Sequence, residues 1–324
     1  MHLDFPKYLA ELIEDQLLST SIEKLVKAFK DTHLLYEGKS LENKRQLTGL
    51  EKLCYLAIRM PATFSADCRV FETLKNQYPE FAPNTLLDLG AGPATASLAA
   101  RQYFDSLKST VCIERDKDFL DFGKSFLDAT NFKSELLVQD IKNINLKSNI
   151  DLVIASYSLG ELNKAELSQT LQKAWQLTNS TLIIIEPGTP RGFEVIKNCR
   201  DDLIKLNAQI IAPCHHMKPC PMSEPKWCHF KVRFNRSKLH RMIKDGDLGY
   251  EDENFSYLIA SKNLKPNFNS GRIVSYPKKE KGLINFEICS NEGQIKKTRI
   301  LKRDKLNYAQ CDSLTWGDSL PKLT

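Results

Sequence analysis

The sequence predicts an α/β protein built on a mostly parallel, doubly wound sheet, and three observations carry that reading. From residue 84 onward, short apolar strands alternate with amphipathic helical stretches; a glycine-bearing loop, Gly90-Ala91-Gly92, follows the first strand; and acidic residues, Glu114 and Asp140, close the second and third. Alternation at this spacing marks a sheet covered by helices on both faces. At 324 residues the chain is long enough for one such domain with appendages.

The elements follow in order. Residues 1–80 read as a helical region, with Leu9, Leu12, Ile13, Leu17 and Leu18, then Ile22, Leu25, Val26 and Phe29, at helical spacing. Met60-Pro61-Ala62-Thr63 is expected to break the helix around Leu53–Ala57, because proline disfavours helix at the residue before it; Thr63 or Ser65 would cap the next helix. Strands are expected at Thr85–Leu89, Thr110–Glu114, Ser134–Gln139, Asp151–Tyr157, Thr181–Glu186, Ala208–Ala212 and Phe255–Ser261, seven in all, with helices near 94–104, 117–130 and 192–207. The resulting domain spans 81–262. It is interrupted by an irregular, cysteine-rich insertion over 213–254. A basic β-extension, 263–324, shows hairpin periodicity at Arg272–Tyr276, Leu283–Cys289 and Gln294–Leu301, and looks too short for an independent core.

The loop after strand one carries the first chemistry. Glycines let the backbone approach a ligand closely, and the following helix presents free N–H groups. The dinucleotide pattern G-x-G-x-x-G is not met, since Thr95 stands at its third glycine. Asp88, two residues before Gly90, can meet the amino group of an amino-acid cofactor; Glu114, 22 residues past Gly92, can accept from ribose hydroxyls; Asp140 can face an adenine, and Ser156 sits where a substrate pocket opens. Together with the strand pattern they identify S-adenosylmethionine as the expected cofactor. The bland alternative makes Asp88 a helix cap and the glycines a tight turn. Strand four ends Ser156-Tyr157-Ser158-Leu159, without the Asn/Asp-Pro-Pro-Tyr motif of many base-amine methyltransferases, so the acceptor is unassigned.

Nine cysteines exceed what packing needs. Cys54, Cys68, Cys112 and Cys199 lie in apolar context, whereas Cys214, Cys220 and Cys228 form a proline-rich C-x5-C-x7-C run with His215, His216 and His229 interleaved. Zinc sites favour C-x2–4-C pairs, and iron–sulfur clusters accept wider spacing with four thiolates. An iron–sulfur centre is therefore expected ahead of zinc, with the fourth ligand drawn from Cys289, Cys311, or His215 and His229.

Charge is split along the chain. Residues 1–195 hold 22 Lys and Arg against 26 Asp and Glu, and residues 196–324 hold 24 against 14. A basic half suits a polyanion, and Lys226, Lys231, Arg233, Arg236, Lys238, Arg241 and Lys244 interleave with Trp227, Phe230 and Phe234 in a manner that suits RNA. Tyr250-Glu251-Asp252-Glu253 could instead pair these bases internally. No apolar run reaches membrane-spanning length, and the first residues show neither a signal peptide nor a transit peptide, which predicts a cytoplasmic protein.

Residues 84–261 resemble the class I methyltransferase fold, a Rossmann-like seven-stranded sheet. Segments spread through most of the chain, Arg59-Met60-Pro61-Ala62-Thr63, Leu87-Asp88-Leu89-Gly90-Ala91-Gly92-Pro93, Glu186-Pro187-Gly188-Thr189-Pro190, Pro213-Cys214-His215, Cys220-Pro221, Trp227-Cys228-His229-Phe230, Tyr250-Glu251-Asp252-Glu253, Phe255-Ser256-Tyr257 and Trp316-Gly317-Asp318, resemble the ribosomal small-subunit methyltransferase-like family. Its eukaryotic members are mitochondrial small-subunit assembly proteins, and it has bacterial relatives. The resemblance implies binding to small-subunit ribosomal RNA and a four-iron four-sulfur cluster on Cys214, Cys220, Cys228 and Cys289. With no transit-like start, a bacterial, cytoplasmic monomer is expected. Three functions are compatible: a ribosomal RNA methyltransferase, a non-catalytic RNA-binding assembly factor, and an iron- or redox-sensing regulator of translation.

Overall fold

The computed structural model describes residues 5–37, 46–268 and 271–323; residues 1–4, on which much of the transit-peptide reading rests, lie outside them. Helix α1 (Lys7–Leu17) buries Leu9, Ile13 and Leu17, one stripe at spacing four. It is followed by α2 (Ile22–Glu37) and the long α3 (Gly49–Gln77), whose start is fixed by a capping box between Thr48 and Glu51. The expected break at Pro61 does not occur, and α3 runs through it. Packing overrides the local preference. Met60, Phe64, Cys68 and Phe71 are buried along α3 in the same core as the sheet residues Ile154, Ile185 and Ile259. Around Pro61 the Thr63 hydroxyl donates to the carbonyls of Arg59 (3.1 Å) and Met60 (3.2 Å), and Ser65 to that of Pro61 (2.8 Å). Thr63 and Ser65 thus bond inside one helix and do not cap a second.

The sheet follows as β1 (Thr85–Leu89), α4 (Thr95–Tyr103), β2 (Ser109–Glu114), α5 (Lys117–Asp128), β3 (Lys133–Val138), β4 (Ile150–Ser156), α6 (Lys164–Leu177), β5 (Thr178–Pro187), α7 (Pro190–Lys205) and β6 (Gln209–Ala212), then β7 (Phe230–Asn235), α8 (Lys238–Lys244) and β8 (Tyr250–Ser261). The strand order is β3-β2-β1-β4-β5-β8-β6, with β1 to β5 parallel and β8 antiparallel to both β5 and β6. That is the order and the reversed strand of a Rossmann-like methyltransferase sheet. Alternate residues fill two layers: Leu86, Ile154, Ile183 and Ile259 face the α1–α4 side, and Leu87, Val153, Ile184 and Leu258 face α6 and α7.

An eighth strand corrects the reading of 213–254 as irregular. β7 pairs antiparallel with the first half of β8, from Phe230 opposite Phe255 to Asn235 opposite Tyr250. Phe230, Val232 and Phe234 alternate inward, so the pattern is that of a half-buried strand.

The C-terminal extension is also more than a hairpin. β9 (Gly271–Ile273), β10 (Lys278–Glu280), β11 (Leu283–Ser290), β12 (Ile295–Leu301), α9 (Lys305–Cys311) and β13 (Ser319–Leu320) form a five-stranded sheet with one helix. Contrary to expectation it has its own small core of Ile273, Ile284, Phe286, Ile288, Ile300, Cys311 and Leu320. β9 and β13 lie against the cysteine-rich insertion: Arg272 donates to the carbonyls of Pro213 (2.9 Å) and Gly317 (2.9 Å), and His215 hydrogen-bonds with Ser319 at 3.1 Å. Among the described residues no helix is long and apolar enough to cross a membrane.

Candidate cofactor cavity and cysteine pocket

β1 ends in a loop shaped by its glycines. The N–H groups of Gly90 and Ala91 both donate to the carbonyl of Ile113 on β2, at 2.8 and 3.0 Å. Gly90 and Gly92 have φ of +71° and +53°, and a Cβ on Gly90 would lie 2.4 Å from that of Ser158, so no other residue fits there without movement. Helix α4 then starts at Thr95, and Ala94 at the N-cap position supplies no side-chain cap.

Around this loop lies a cavity of about 410 Å³, lined by all six residues singled out for cofactor binding: Asp88, Gly90, Gly92, Glu114, Asp140 and Ser156. It opens at the carboxyl ends of β1 and β4, the crevice where doubly wound sheets hold ligands, and its size suits a small organic molecule. Asp88 is buried, and its Oδ2 accepts from the Ser97 N–H (3.0 Å) and hydroxyl (2.8 Å). Burial pushes its acid up to about 6 despite those bonds. Glu114 accepts from the N–H groups of Gly92 (3.1 Å) and Asp116 (2.9 Å), and burial raises it also. Asp140 does not end strand three. It lies two residues beyond β3 and caps a short 3-10 turn through the Lys142 N–H at 2.9 Å. Ser156 donates to Asp67 Oδ1 at 2.6 Å.

Asp67 was not visible as a site residue in the sequence. It comes from α3, with Thr63 one turn earlier, and both line the cavity. The available signal was one acid inside the small, apolar run Phe64-Ser65-Ala66-Asp67-Cys68. Beside the cavity, Arg59 makes two bonds to Glu253 (3.1 and 3.0 Å), and Tyr157 donates to the same carboxylate at 3.0 Å.

Cys214, Cys220, Cys228 and Cys289 lie near enough to influence one another electrostatically, where the insertion meets the extension. Cys289 is buried on β11, and Cys214, Cys220 and Cys228 are half-buried. Burial raises the Cys228 thiol well above its usual range, and Cys214, Cys220 and Cys289 raise it further, so the four sulfurs share one field. Cys289 is pushed up to about 12 by burial and by Cys214 and Cys220, with Arg200 and Arg272 opposing. His216 Nδ1 faces the Lys218 carbonyl (3.1 Å), an acceptor, so Nδ1 carries the proton and Nε2 accepts from the Cys289 thiol at 3.4 Å. Cys311 is placed instead in the core of the extension. Among the described residues no group of three or more His, Cys, Asp or Glu side chains is compact enough to hold a single metal ion. The expected centre, iron–sulfur or zinc, is thus not formed as a metal site among the described residues.

Two arginines beside these thiols test the fit of an anionic group. Arg200 and Arg272 are 2% and 4% exposed. Arg200 donates to the carbonyls of His216 (3.0 Å) and Lys218 (2.7 Å), and Arg272 to those of Pro213 and Gly317, yet Arg200 Nε and Arg272 Nη2 are buried without a partner. Buried donors left open next to four thiols fit a cluster of net negative charge.

The basic run expected to face RNA is largely spent within the chain. Arg233 holds Asp252 through two bonds (2.7 and 3.0 Å), and Arg236 (2.8 Å), His240 (3.0 Å) and Lys244 (2.6 Å) converge on Glu251. Although Glu251 is partly buried, these bonds hold its acid far below the usual carboxylate range.

Comparison with known proteins places these features in a family. Residues 50–321 match the family described as mitochondrial small ribosomal subunit Rsm22. The human ribosome assembly protein METTL17, mitochondrial, is 25% identical over 293 residues, 84% of this chain. The Rsm22-cox11 tandem protein 2, mitochondrial, of Schizosaccharomyces pombe is 25% identical over 334 residues, 86% of this chain, and the Saccharomyces cerevisiae ribosome assembly protein RSM22, mitochondrial, is 21% identical over 379, covering 70%. The chain spans 63%, 44% and 60% of these three proteins. Among solved structures, the magnesium protoporphyrin IX methyltransferase of Synechocystis with bound SAH matches with a TM-score of 0.42 and 12% identity over 75% of this chain and all of that one. All three relatives are named mitochondrial, which overturns the expected bacterial, cytoplasmic location. That expectation rested on the pattern of the first residues, whereas the match is carried by 50–321. The chain is a member of the Rsm22 family.

Proposed function

We propose that this protein binds S-adenosylmethionine in the cavity at the carboxyl edge of the sheet and associates with small-subunit ribosomal RNA in ribosome assembly. The observation that carries the cofactor assignment is the convergence of Asp88, Gly90, Gly92, Glu114, Asp140 and Ser156 on one cavity at the β1–β4 crevice. Gly90 and Gly92 let the backbone approach the cofactor, Glu114 and Asp140 accept from its ribose and adenine ends, and Asp88 and Ser156 face its amino-acid end. When bound, S-adenosylmethionine supplies an activated methyl group. The names of the relatives, ribosome assembly proteins and an Rsm22 protein, support the ribosomal part of the reading.

Cys214, Cys220, Cys228 and Cys289 would hold a four-iron four-sulfur cluster. Four thiolates exceed the positive charge of such a core, and Arg272, with Arg200 already paired to Asp201 at 3.3 Å, would offset part of the remainder. The cluster would tie the extension to the core, so its binding would add to folding free energy.

The RNA-facing surface in this reading is on the extension. Lys278, Asn285 and Arg299 form a cross-strand row on the face opposite Ile284, Phe286 and Ile300, with the exposed Lys297 on the same face. None of these three cations has a salt bridge among the described residues, in contrast to Arg233, Arg236 and Lys244. A second reading, an assembly factor that does not transfer methyl groups, is favoured by Tyr157, whose hydroxyl at the end of β4 is tied to Glu253 beside Arg59.

Labelled S-adenosylmethionine incubated with the full chain and small-subunit ribosomal RNA tests both readings. Label transfer that disappears in Asp88→Ala supports the enzyme. RNA binding without transfer supports the assembly factor, and absence of both cofactor and RNA binding contradicts the proposal.

A further inference from the structure

The floor of the cavity holds more negative charge than the protein answers. Arg115 pairs with Glu161 at 2.8 Å, Lys142 reaches Glu166 (3.3 Å) and Asp140 (3.6 Å), and Lys52 holds Asp116 at 2.7 Å. Asp67, Asp88 and Glu114 have no salt bridge among the described residues. Glu114 and Asp88 are at least held by backbone and serine donors. Asp67 is different. It is 0% exposed, Ser156 satisfies its Oδ1, and its Oδ2 is buried without any partner, as is the Thr95 hydroxyl across the same cavity. A buried carboxylate oxygen with no donor costs free energy in the empty site, and that cost is removed by a ligand that brings a donor.

We infer that Asp67, supplied by helix α3 from outside the nucleotide-binding sheet, is the residue that receives the α-ammonium group of the cofactor's amino-acid portion, with Ser156 positioning it. An ammonium carries the N–H donors and the positive charge that the open oxygen lacks. A sulfonium carries charge without such donors, so the ammonium is the better match. This rests on the reading of the cavity as an S-adenosylmethionine site. It also makes the N-terminal helices part of that site. Burial raises the Asp67 acid well above its usual range, with Asp88 adding to it, as suits a group whose charged form waits for a cation.

Three ligands separate the possibilities: S-adenosylmethionine and S-adenosylhomocysteine, which carry the ammonium, and 5′-methylthioadenosine, which lacks the whole amino-acid portion. Calorimetric titration of the full chain is expected to show Asp67→Asn weakening the first two by roughly 10- to 100-fold, the range of one charge-assisted hydrogen bond. Methylthioadenosine binding should change by less than about twofold. Ser156→Ala, which leaves the carboxylate present but unsupported, should give a smaller loss with the same ligand pattern. Equal weakening of all three ligands, or no weakening of any, overturns the inference while the cofactor reading stands. A wild-type chain that binds none of the three overturns both.

Discussion

The cofactor cavity and the cysteine pocket are opposites in charge. The cavity ends in buried carboxyls, Asp67 and Asp88, with one oxygen of Asp67 unanswered; the cysteine cluster is flanked by buried guanidiniums, Arg200 and Arg272, each with one nitrogen unanswered. Proteins seldom leave buried polar groups unpaired, because each costs about 1–3 kcal/mol. In the proposed reading, what is left open matches a cation in one and an anionic group in the other. The two are joined by one structural unit: α3 lines the cavity with Thr63 and Asp67 and reaches the extension through Arg69, which contacts Asp318 at 3.4 Å.

The largest expected effect breaks the pocket. Cys228→Ser should abolish cluster binding and free the extension. Anaerobically purified protein should lose its iron and sulfide, and limited proteolysis should cleave near 263–270. Retention of full iron content would remove Cys228 from the ligand set.

Arg272→Met sharpens the contrast by deleting a buried cation at similar volume. In cluster-loaded protein it should lower stability by about 3 kcal/mol, through lost charge-assisted bonds. In cluster-free protein the loss should be smaller by about 1–2 kcal/mol, since the variant also removes an uncompensated charge and its open N–H. Equal losses in both states, measured by denaturant unfolding, would mean that Arg272 answers only to Pro213 and Gly317.

In the cavity the smaller effect is one of pH. Burial raises the Asp88 acid to about 6. Because its folded value lies above the unfolded one, this group favours the folded, ligand-free chain most at low pH, and that contribution falls as pH rises through about 4 to 6. A cationic ligand prefers the ionised form, so ionisation of Asp88 alone should raise its affinity about tenfold from pH 5 to pH 7. Titrations across that range should lose part of the dependence in Asp88→Asn and more in Asp67→Asn, whose acid burial also raises.

The smallest effect concerns RNA. Replacing Lys297 and Arg299 together by alanine should weaken RNA binding and reduce its salt slope by about 2, whereas Arg233→Ala should change the slope by less than about 1, because Asp252 already holds that guanidinium. Equal changes would contradict the placement of the RNA face on the extension.

These regions also differ in how legible they were. Strands β1 to β6 could be read because local apolar runs suffice for a sheet buried on both faces, and Asp88, Gly90, Gly92 and Glu114 because a loop and its flanking strands encode them within 27 residues. Asp67 could not be read, since its place in the cavity depends on how α3 packs against β4, 89 residues away at Ser156. Pro61 misled for the same reason: tertiary packing and the hydroxyls of Thr63 and Ser65 outweigh a local preference. β7 was legible in principle. Phe230-Lys231-Val232-Arg233-Phe234 alternates as a strand does, but the same residues also read as basic and aromatic groups for RNA, and only the partner strand, with Glu251 and Asp252, decides between the two.

Native mass spectrometry of the anaerobically purified full chain, with S-adenosylmethionine added, tests joint occupancy of the cavity and the cysteines most directly. One species carrying four iron, four sulfide and one cofactor molecule is expected, with the cluster mass lost in Cys228→Ser and the cofactor mass retained. A chain that carries neither, or one zinc ion in place of the cluster, would contradict joint occupancy.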